Sequence, residues 1–420
     1  METRAVKFLV VILAVMLVGV TVLSACAPGE VTPQAPSSEK HKIIWGGALD
    51  MTGPASADTW QWFAACQDYT KYINEEKGGI HGVPVEIIFE DDQMQATKDL
   101  SAYERFKEKE GILFIDCGSV ATSTLYNLQW EDKIPALTGH VVDAFWDPGC
   151  VYGLLVNYGD FGAGWVDWCI QDKKERGLEG PPKLGAIVWD NSAGYAFVGP
   201  TTLYAEDMGV PFRVAWQPLF PVDLSTQLID LRDWGVEYLM QGHTAGQAAQ
   251  MLKDLYRLGL NGKIDIFLMP ACMNNTLIDV VGDKAVGTKT FNNIVMGVEP
   301  TEEVAFIKAL HLKNRGTERW MGQYVTCGLP SMSIFEEVTN SVLDKYGWEG
   351  LTGENLYQEI SHLEMDPIGI GPIKFGTTPS EKTAARMVRL IEVSDDLRLT
   401  PASDWFALPI IMGNEKYRVK

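Results

Sequence analysis

Residues Lys42–Asp92 read KIIWGGALDMTGPASADTWQWFAACQDYTKYINEEKGGIHGVPVEIIFEDD. The run KIIWGGALD has the length and apolar density of a buried strand. Trp62, Ala65, Cys66, Tyr69, Tyr72 and Ile73 then recur at helical spacing. The glycines of GGIHG, Gly78 to Gly82, supply the stop that a helix C-terminus needs. PVEIIFEDD is the next strand. A strand, a helix and a strand of these lengths form one right-handed crossover unit with parallel strands. Between the first strand and the helix lies a small polar loop with a Gly-Pro turn, in which Asp58 or Thr59 is the expected helix cap. Two tryptophans stand at the helix start. Trp62 falls on the stripe with Cys66 and Tyr69, whereas Trp60 falls off it and is expected to face a ligand.

The same alternation runs outward along the chain. TKDLSAYERFKEKE (Thr97–Glu110) is helical, GILFIDCGS is a strand, TSTLYNLQWEDK a helix and IPALTG a strand. After a Gly-rich stretch near Phe161 it resumes, with KLGAIVWD, PFRVAWQPLF, VEYLMQG and KIDIFLMP as strands. YAFVGPTTLYAEDMG, STQLIDLRDWG and TAGQAAQMLKDLYRLGL are the helices between them. Repeated units of this kind define an α/β class built on parallel sheets. The Gly-rich stretch suits a crossing between two such halves, with further crossings near Gly287–Phe291 and Gly371–Gly376.

The N-terminus sets the compartment. METRAVK is a basic flank, and Phe8 to Leu23 is an apolar run shorter than the roughly 20 residues of a membrane helix. It ends in LSAC (Leu23–Cys26), the pattern of an export signal. LSAC resembles the bacterial lipoprotein cleavage box, which makes residues 1–25 a signal peptide and Cys26 the lipidated N-terminus. The Pro-, Ser- and Ala-rich residues 26–41 read as a flexible tether. Removing residues 1–25 leaves 54 acidic and 33 basic residues, a net charge of −21. That balance excludes nucleic acid as a partner and leaves the lipid as the link to the membrane. The remaining six cysteines have no C-x-x-C spacing and read mostly as small buried hydrophobes.

No Walker loop, G-x-G-x-x-G after a strand or H-E-x-x-H occurs, and the six histidines are scattered. NSAG (Asn191–Gly194) lacks the first glycine of a nucleophile elbow. The chain therefore reads as a non-enzyme without cofactor or metal. A hydrolase using Ser192 or Ser119 would need a His–Asp pair that nothing places beside either serine. The loops after the strands stand out: LDMTGPASADTW, EDDQMQATKD, DCGSVATST, LTGHVVDAFW, WDNSAGYAF and QGHTAGQAA. Each sets small polar residues where a helix N-terminus offers free N–H groups, at the strand ends where open parallel sheets bind ligands. The same residues are also ordinary helix caps.

Several motifs together resemble one family. Gly47, Thr52-Gly53-Pro54, Ile73-Asn74, Gly78-Gly79-Ile80, Gly82 and Asp91-Asp92 resemble the opening of type I periplasmic solute-binding proteins. VDLSTQLIDLRDWGVEYL, QAAQMLKDLYRLGL and DPIGIGPIKF resemble later segments, so the likeness runs from Lys42 to Phe375. The nearest group is that of branched-chain amino acid binding proteins of ABC transporters. The resemblance implies two Rossmann-like lobes joined by three hinge strands, here 42–160 with 290–373 and 161–289 with 374–420. It implies a small polar, amino-acid-like or aromatic ligand held between the lobes and delivery to an ABC transporter permease. It also implies a monomer that is extracytoplasmic and lipid-anchored. A ligand sensor of the same fold with a separate signalling partner is the alternative. By position, the carboxylate clamp falls on Ser119 with Ala121 and Thr122, and the next loop contributes His140 and Val142. Tyr195 stands beside the family's tyrosine position, and Asp58 and Trp60 edge the cleft. The family's acidic, ammonium-binding position holds Gln247. A neutral amide is a weaker partner for an ammonium group than a carboxylate, so an α-amino acid ligand does not carry over.

Overall fold

The computed structural model describes residues 41–419 apart from 110, 111, 113, 117, 140–142, 220, 243, 320, 321 and 385, and apart from the side chains of 114–116 and 119. Cys26, the signal segment, the tether, His140 and Val142 lie outside the described residues.

The first crossover unit forms as its sequence dictates. Strand β1 (Ile43–Leu49) is buried along its whole length, helix α1 covers Ser56–Tyr72 and β2 covers Val85–Asp91. The helix ends in a π turn (Ile73–Lys77), and Gly78 adopts the left-handed conformation (φ 77°) that closes it. Chain order continues with α2 (Ala96–Lys107), β3 (Phe114–Asp116), α3 (Ser119–Asp132), β4 (Ala136–Thr138) and β5 (Val151–Gly153). These strands make a five-stranded, all-parallel sheet in the order β2-β1-β3-β4-β5.

Helix α4 (Tyr158–Glu175) then leads to β6 (Leu184–Trp189), α5 (Ser192–Asp207), β7 (Phe212–Gln217), α6 (Ser225–Trp234), β8 (Tyr238–Gln241), α7 (Ala245–Arg257), β9 (Asp265–Leu268), α8 (Asn275–Val281) and β10 (Lys289–Asn292). Helices α9 (Glu302–Arg315), α10 (Leu329–Tyr346) and α11 (Gly353–Ile360) follow, then the hairpin β11 (Glu364–Met365) and β12 (Ile373–Lys374). The chain ends with β13 (Met387–Val393), β14 (Leu399–Pro401) and β15 (Phe406–Ala407). The second sheet runs β14-β13-β10-β9-β8-β6-β7, parallel from β10 to β7 and antiparallel at β13 and β14.

The core explains why α9 and α10 return to the first sheet. Ile43 and Trp45 of β1 share an apolar cluster with Trp62, Ala65 and Cys66 of α1 and with Phe335 and Val338 of α10. Trp45 and Phe335 meet at 5.2 Å between ring centroids. Their burial, at about 2–3 kcal/mol per large side chain, is what seats α10 there. Residues beyond Phe375, where the family likeness fades, extend the second sheet and then form a strap. The Asp160 carboxylate accepts from the N–H groups of Ile411 (2.7 Å) and Met412 (2.9 Å), and Tyr417 donates to Asp207 at 2.9 Å. Cys66, Cys150, Cys169, Cys272 and Cys327 are all buried. Among the described residues no helix is long and apolar enough to cross a membrane.

Candidate functional site

The loop after β1 is held by acids. Asp50 accepts from the backbone N–H groups of Gly53 and Ala55, and Asp91 accepts from Met51 N–H at 2.9 Å and from the Thr52 hydroxyl at 2.6 Å. Asp50 therefore holds the turn ahead of α1. The expected cap residues, Asp58 and Thr59, lie inside the first turn of α1, which has Ala55 at its cap position. Among the described residues no side-chain hydrogen bond caps the helix: the Asp58 carboxylate accepts from Ala245 and Asn274, and the Thr59 hydroxyl donates back to the Asp50 carbonyl.

Asp58 is 1% exposed and points at the second sheet. Its carboxylate accepts from the N–H of Ala245, the first residue of α7, at 3.3 Å and from Asn274 Nδ2 at 3.0 Å. Asn274 is itself the cap of α8, with its Oδ1 accepting from Thr276 and Leu277 N–H (2.9 and 3.2 Å). One turn along α1, Gln61 donates to the Thr276 hydroxyl at 3.3 Å and accepts from Gln323 N–H at 3.2 Å. The start of α1 thus meets the loops that leave β8 and β9. Burial pushes the Asp58 carboxyl up to about 6, against the opposing pull of the Ala245 and Asn274 donors.

Deeper in, Thr122 and Thr138 share a hydrogen bond of 3.0 Å between their hydroxyls, and Ala121 is buried beside them. Gly139, at the end of β4, sits against the Trp62 ring and the Cys327 sulfur, closely enough that a Cβ there would come within 2.8 Å of the sulfur. Between the two sheets lies a void of about 10 Å³, room for one water. Gly139, Leu155, Val156, Tyr158, Phe161 and Met269 line it together with Pro270 and Ala271. Burial raises the Cys327 thiol to about 12, with the Asp58 charge adding to the rise. Burial likewise raises the Tyr158 phenol.

On the second-sheet side, three buried glutamines gather at strand and helix ends. Gln247 donates to Leu219 C=O at 2.6 Å, and its Oε1 has no hydrogen-bond partner among the described residues. The same holds for both amide atoms of Gln217 and for Gln241 Nε2.

The sequence-named residues divide. Asp58 meets the first turn of α7, which carries Gln247, while Ala121 and Thr122 line up at the start of α3 beside the end of β4. Ser119 is the first residue of α3. Trp60 is half-exposed, donates its indole N–H to Met51 C=O at 3.0 Å and packs edge-on against Phe63. Tyr195 is half-exposed, bonded to Asp190 and edge-on to Trp216. Neither ring joins the contact between the two sheets. Asn274 and Gln61 carry polar atoms at this contact and were not singled out by sequence. Only Asn274 had a local signal, an asparagine directly before a helical run.

Replacing Asn274 by alanine removes a helix cap and one donor to a buried carboxylate. The expected loss is about 2–3 kcal/mol in urea denaturation. A loss under about 0.5 kcal/mol would show that Asn274 does not bridge the two sides.

The loops that leave the parallel strands of the two sheets thus meet, with Asp58, Ala245 and Asn274 hydrogen-bonded between them. The sequence matches the periplasmic binding protein family over residues 43–397, and the chain belongs to that family. It is a binding protein rather than an enzyme, and the family is extracytoplasmic. No curated protein sequence matches it. Among solved structures it is similar to a branched-chain amino acid ABC transporter protein from Thermus thermophilus with bound valine (TM-score 0.79, 22% identity, 90% of this chain and 98% of that one). It is also similar to a fatty acid ABC transporter substrate-binding protein from Thermomonospora curvata (TM-score 0.76, 18% identity, 90% and 94%). A third is a Rhodopseudomonas palustris BisB5 solute binding protein in complex with 3,4-dihydroxybenzoic acid (TM-score 0.73, 16% identity, 89% and 99%). At these identities the likeness is one of fold.

Proposed function

We propose that the chain is an extracytoplasmic solute receptor, anchored through lipid on Cys26, that captures a small polar, amino-acid-like or aromatic ligand and delivers it to an ABC importer permease as a monomer. Its lobes are 42–160 with 290–373 and 161–289 with 374–420. The observation that carries the reading is the Asp58 carboxylate of α1 hydrogen-bonded to Ala245 and Asn274, which joins the loops of one sheet to those of the other. A ligand between these loops would be gripped from both sides and would favour the closed form by its differential affinity. The N–H groups at the start of α3, with Ser119, Ala121 and Thr122, hold an anionic or polar head. His140, Val142 and Gln247 line the rest, with Trp60 and Tyr195 at the rims. The valine, fatty acid and dihydroxybenzoate named for the similar structures support a small carboxylate-bearing ligand.

A thermal-shift screen of amino acids, amides, aromatic acids and short carboxylates tests the reading. A ligand at 100 times its Kd adds about 2.7 kcal/mol, a shift of several degrees. Ser119→Ala is expected to lower the affinity of whichever compound scores by about tenfold, one lost charge-assisted hydrogen bond. Unchanged affinity in Ser119→Ala would end the clamp assignment, and no shift from any class would end the receptor reading.

A further inference from the structure

Met273 and Asn275 border a second cavity, of about 350 Å³. Asn274, between them, turns its amide the other way, to Asp58. Gly322 lines the cavity and closes it off on that side: a Cβ there would come within 2.6 Å of the Asn274 Cβ. Neither Asp58, Thr122 nor Gln247 borders this space. It is therefore separate from the loops assigned to the ligand above.

The chain runs along the cavity as it leaves β10. Ile294 and Met296 are buried there, and Val325 and Leu399 add apolar wall. The charges are one-sided. Lys308, Arg319 and Arg398 border the cavity, against Glu318 as the one acid among the described lining residues. Arg319 is held by Asp279 at 2.7 Å and Arg398 by Asp396 at 2.9 Å. Lys308, half-buried on α9, has no acid partner among the described residues. An excess of cations runs against the rest of the chain, whose net charge is −20. The volume falls at the lower end of the roughly 300–1,000 Å³ of ligand pockets. An apolar space of this size with an unpaired cation at its wall fits a molecule with an apolar body and a negative head. The body gains by leaving water, and the head gains a charge-assisted hydrogen bond. A wholly polar anion would leave its hydration for walls that offer it little.

We infer that this cavity is a second binding site, for an amphipathic anion of the medium-chain carboxylate type, with Lys308 on its carboxylate and Met296, Val325 and Leu399 against its chain. The walls come from both sides of the fold. Val325 and α9 pack in the apolar cluster of the first sheet, while Leu399 belongs to β14 of the second. An occupant thus braces the crossing that follows β10. The site goes beyond the receptor reading and does not depend on it.

The test is calorimetric titration of the mature protein with octanoate, octan-1-ol and acetate. Octanoate is expected to bind, octan-1-ol more weakly, and acetate not at all at the same concentrations. Lys308→Gln is expected to weaken octanoate about tenfold, the loss of one charge-assisted hydrogen bond, and to leave octan-1-ol unchanged. Val298 lines the cavity from a position that is 45% exposed, so Val298→Trp fills the space without entering the core. That variant is expected to lose both eight-carbon probes. A compound that scores in the screen above is expected to bind both variants as it binds the wild type. Absence of octanoate binding overturns the inference, as does octanoate affinity that survives Lys308→Gln or Val298→Trp. Octanoate that competes with a compound from the screen occupies the ligand loops instead, which also overturns it. Each of these results leaves the receptor reading standing, because that reading is decided by the screen alone.

Discussion

Trp62→Ala is expected to destabilise the protein by about 3–5 kcal/mol, the range for removing a fully buried tryptophan. The ring is 0% exposed and shares a core with Trp45, Cys66 and Phe335. Two close approaches make the site hard to collapse. Gly139 lies against the far edge of the ring, and Gly328 lies so near the Trp62 backbone that a Cβ there would come within 2.7 Å of its carbonyl oxygen. The truncation therefore opens a cavity directly beneath the end of β4, where the proposed ligand loop begins. Trp60→Ala, two residues away, is expected to cost only about 1–2 kcal/mol. Its ring is half-exposed and loses one edge-on partner and one hydrogen bond. Urea denaturation of the two variants checks the pair. Equal losses, or a larger loss for Trp60→Ala, would overturn the assignment of Trp62 as the buried support.

That contrast shows what local pattern conveys and where it stops. Helical spacing placed Trp62 on the stripe with Cys66 and Tyr69, and the structure keeps all three buried. The strands KIIWGGALD and PVEIIFEDD were legible because apolar runs between turn signals have few other uses. The parallel order of the sheets followed from the repeated crossovers. The start of α1 was not legible: Asp58 is a good capping residue by type, and only the folded chain turns its carboxylate away from the helix toward Ala245 and Asn274. The glutamines at 217 and 241 gave no signal, since an amide at a strand end has no motif. Their importance arises from burial, which is a property of the folded chain. Asn274 was half-legible. Its capping role follows from its place before α8, but its bond to Asp58 joins residues 216 positions apart.

The difference in stability between the wild-type protein and Asp58→Asn is expected to move by about 3 kcal/mol between pH 4 and pH 7, against the wild type as pH rises. The Asp58 carboxyl is lifted from its ordinary 3.8 to about 6, mainly by burial. Between those values the folded chain holds a proton that the unfolded chain has released. Stability then falls with rising pH, by about 1.4 kcal/mol per unit over about two units. The contribution is fully present below about pH 3.8 and is lost once pH passes 6. Asp92 is also raised to about 6, and burial raises Asp50, Asp143, Asp160 and Asp167 as well, so the raw pH profile mixes several groups. Subtracting the Asp58→Asn profile removes the parts of those other groups and any fixed cost of the amide. A flat difference would show that Asp58 titrates normally and is not buried as a charge.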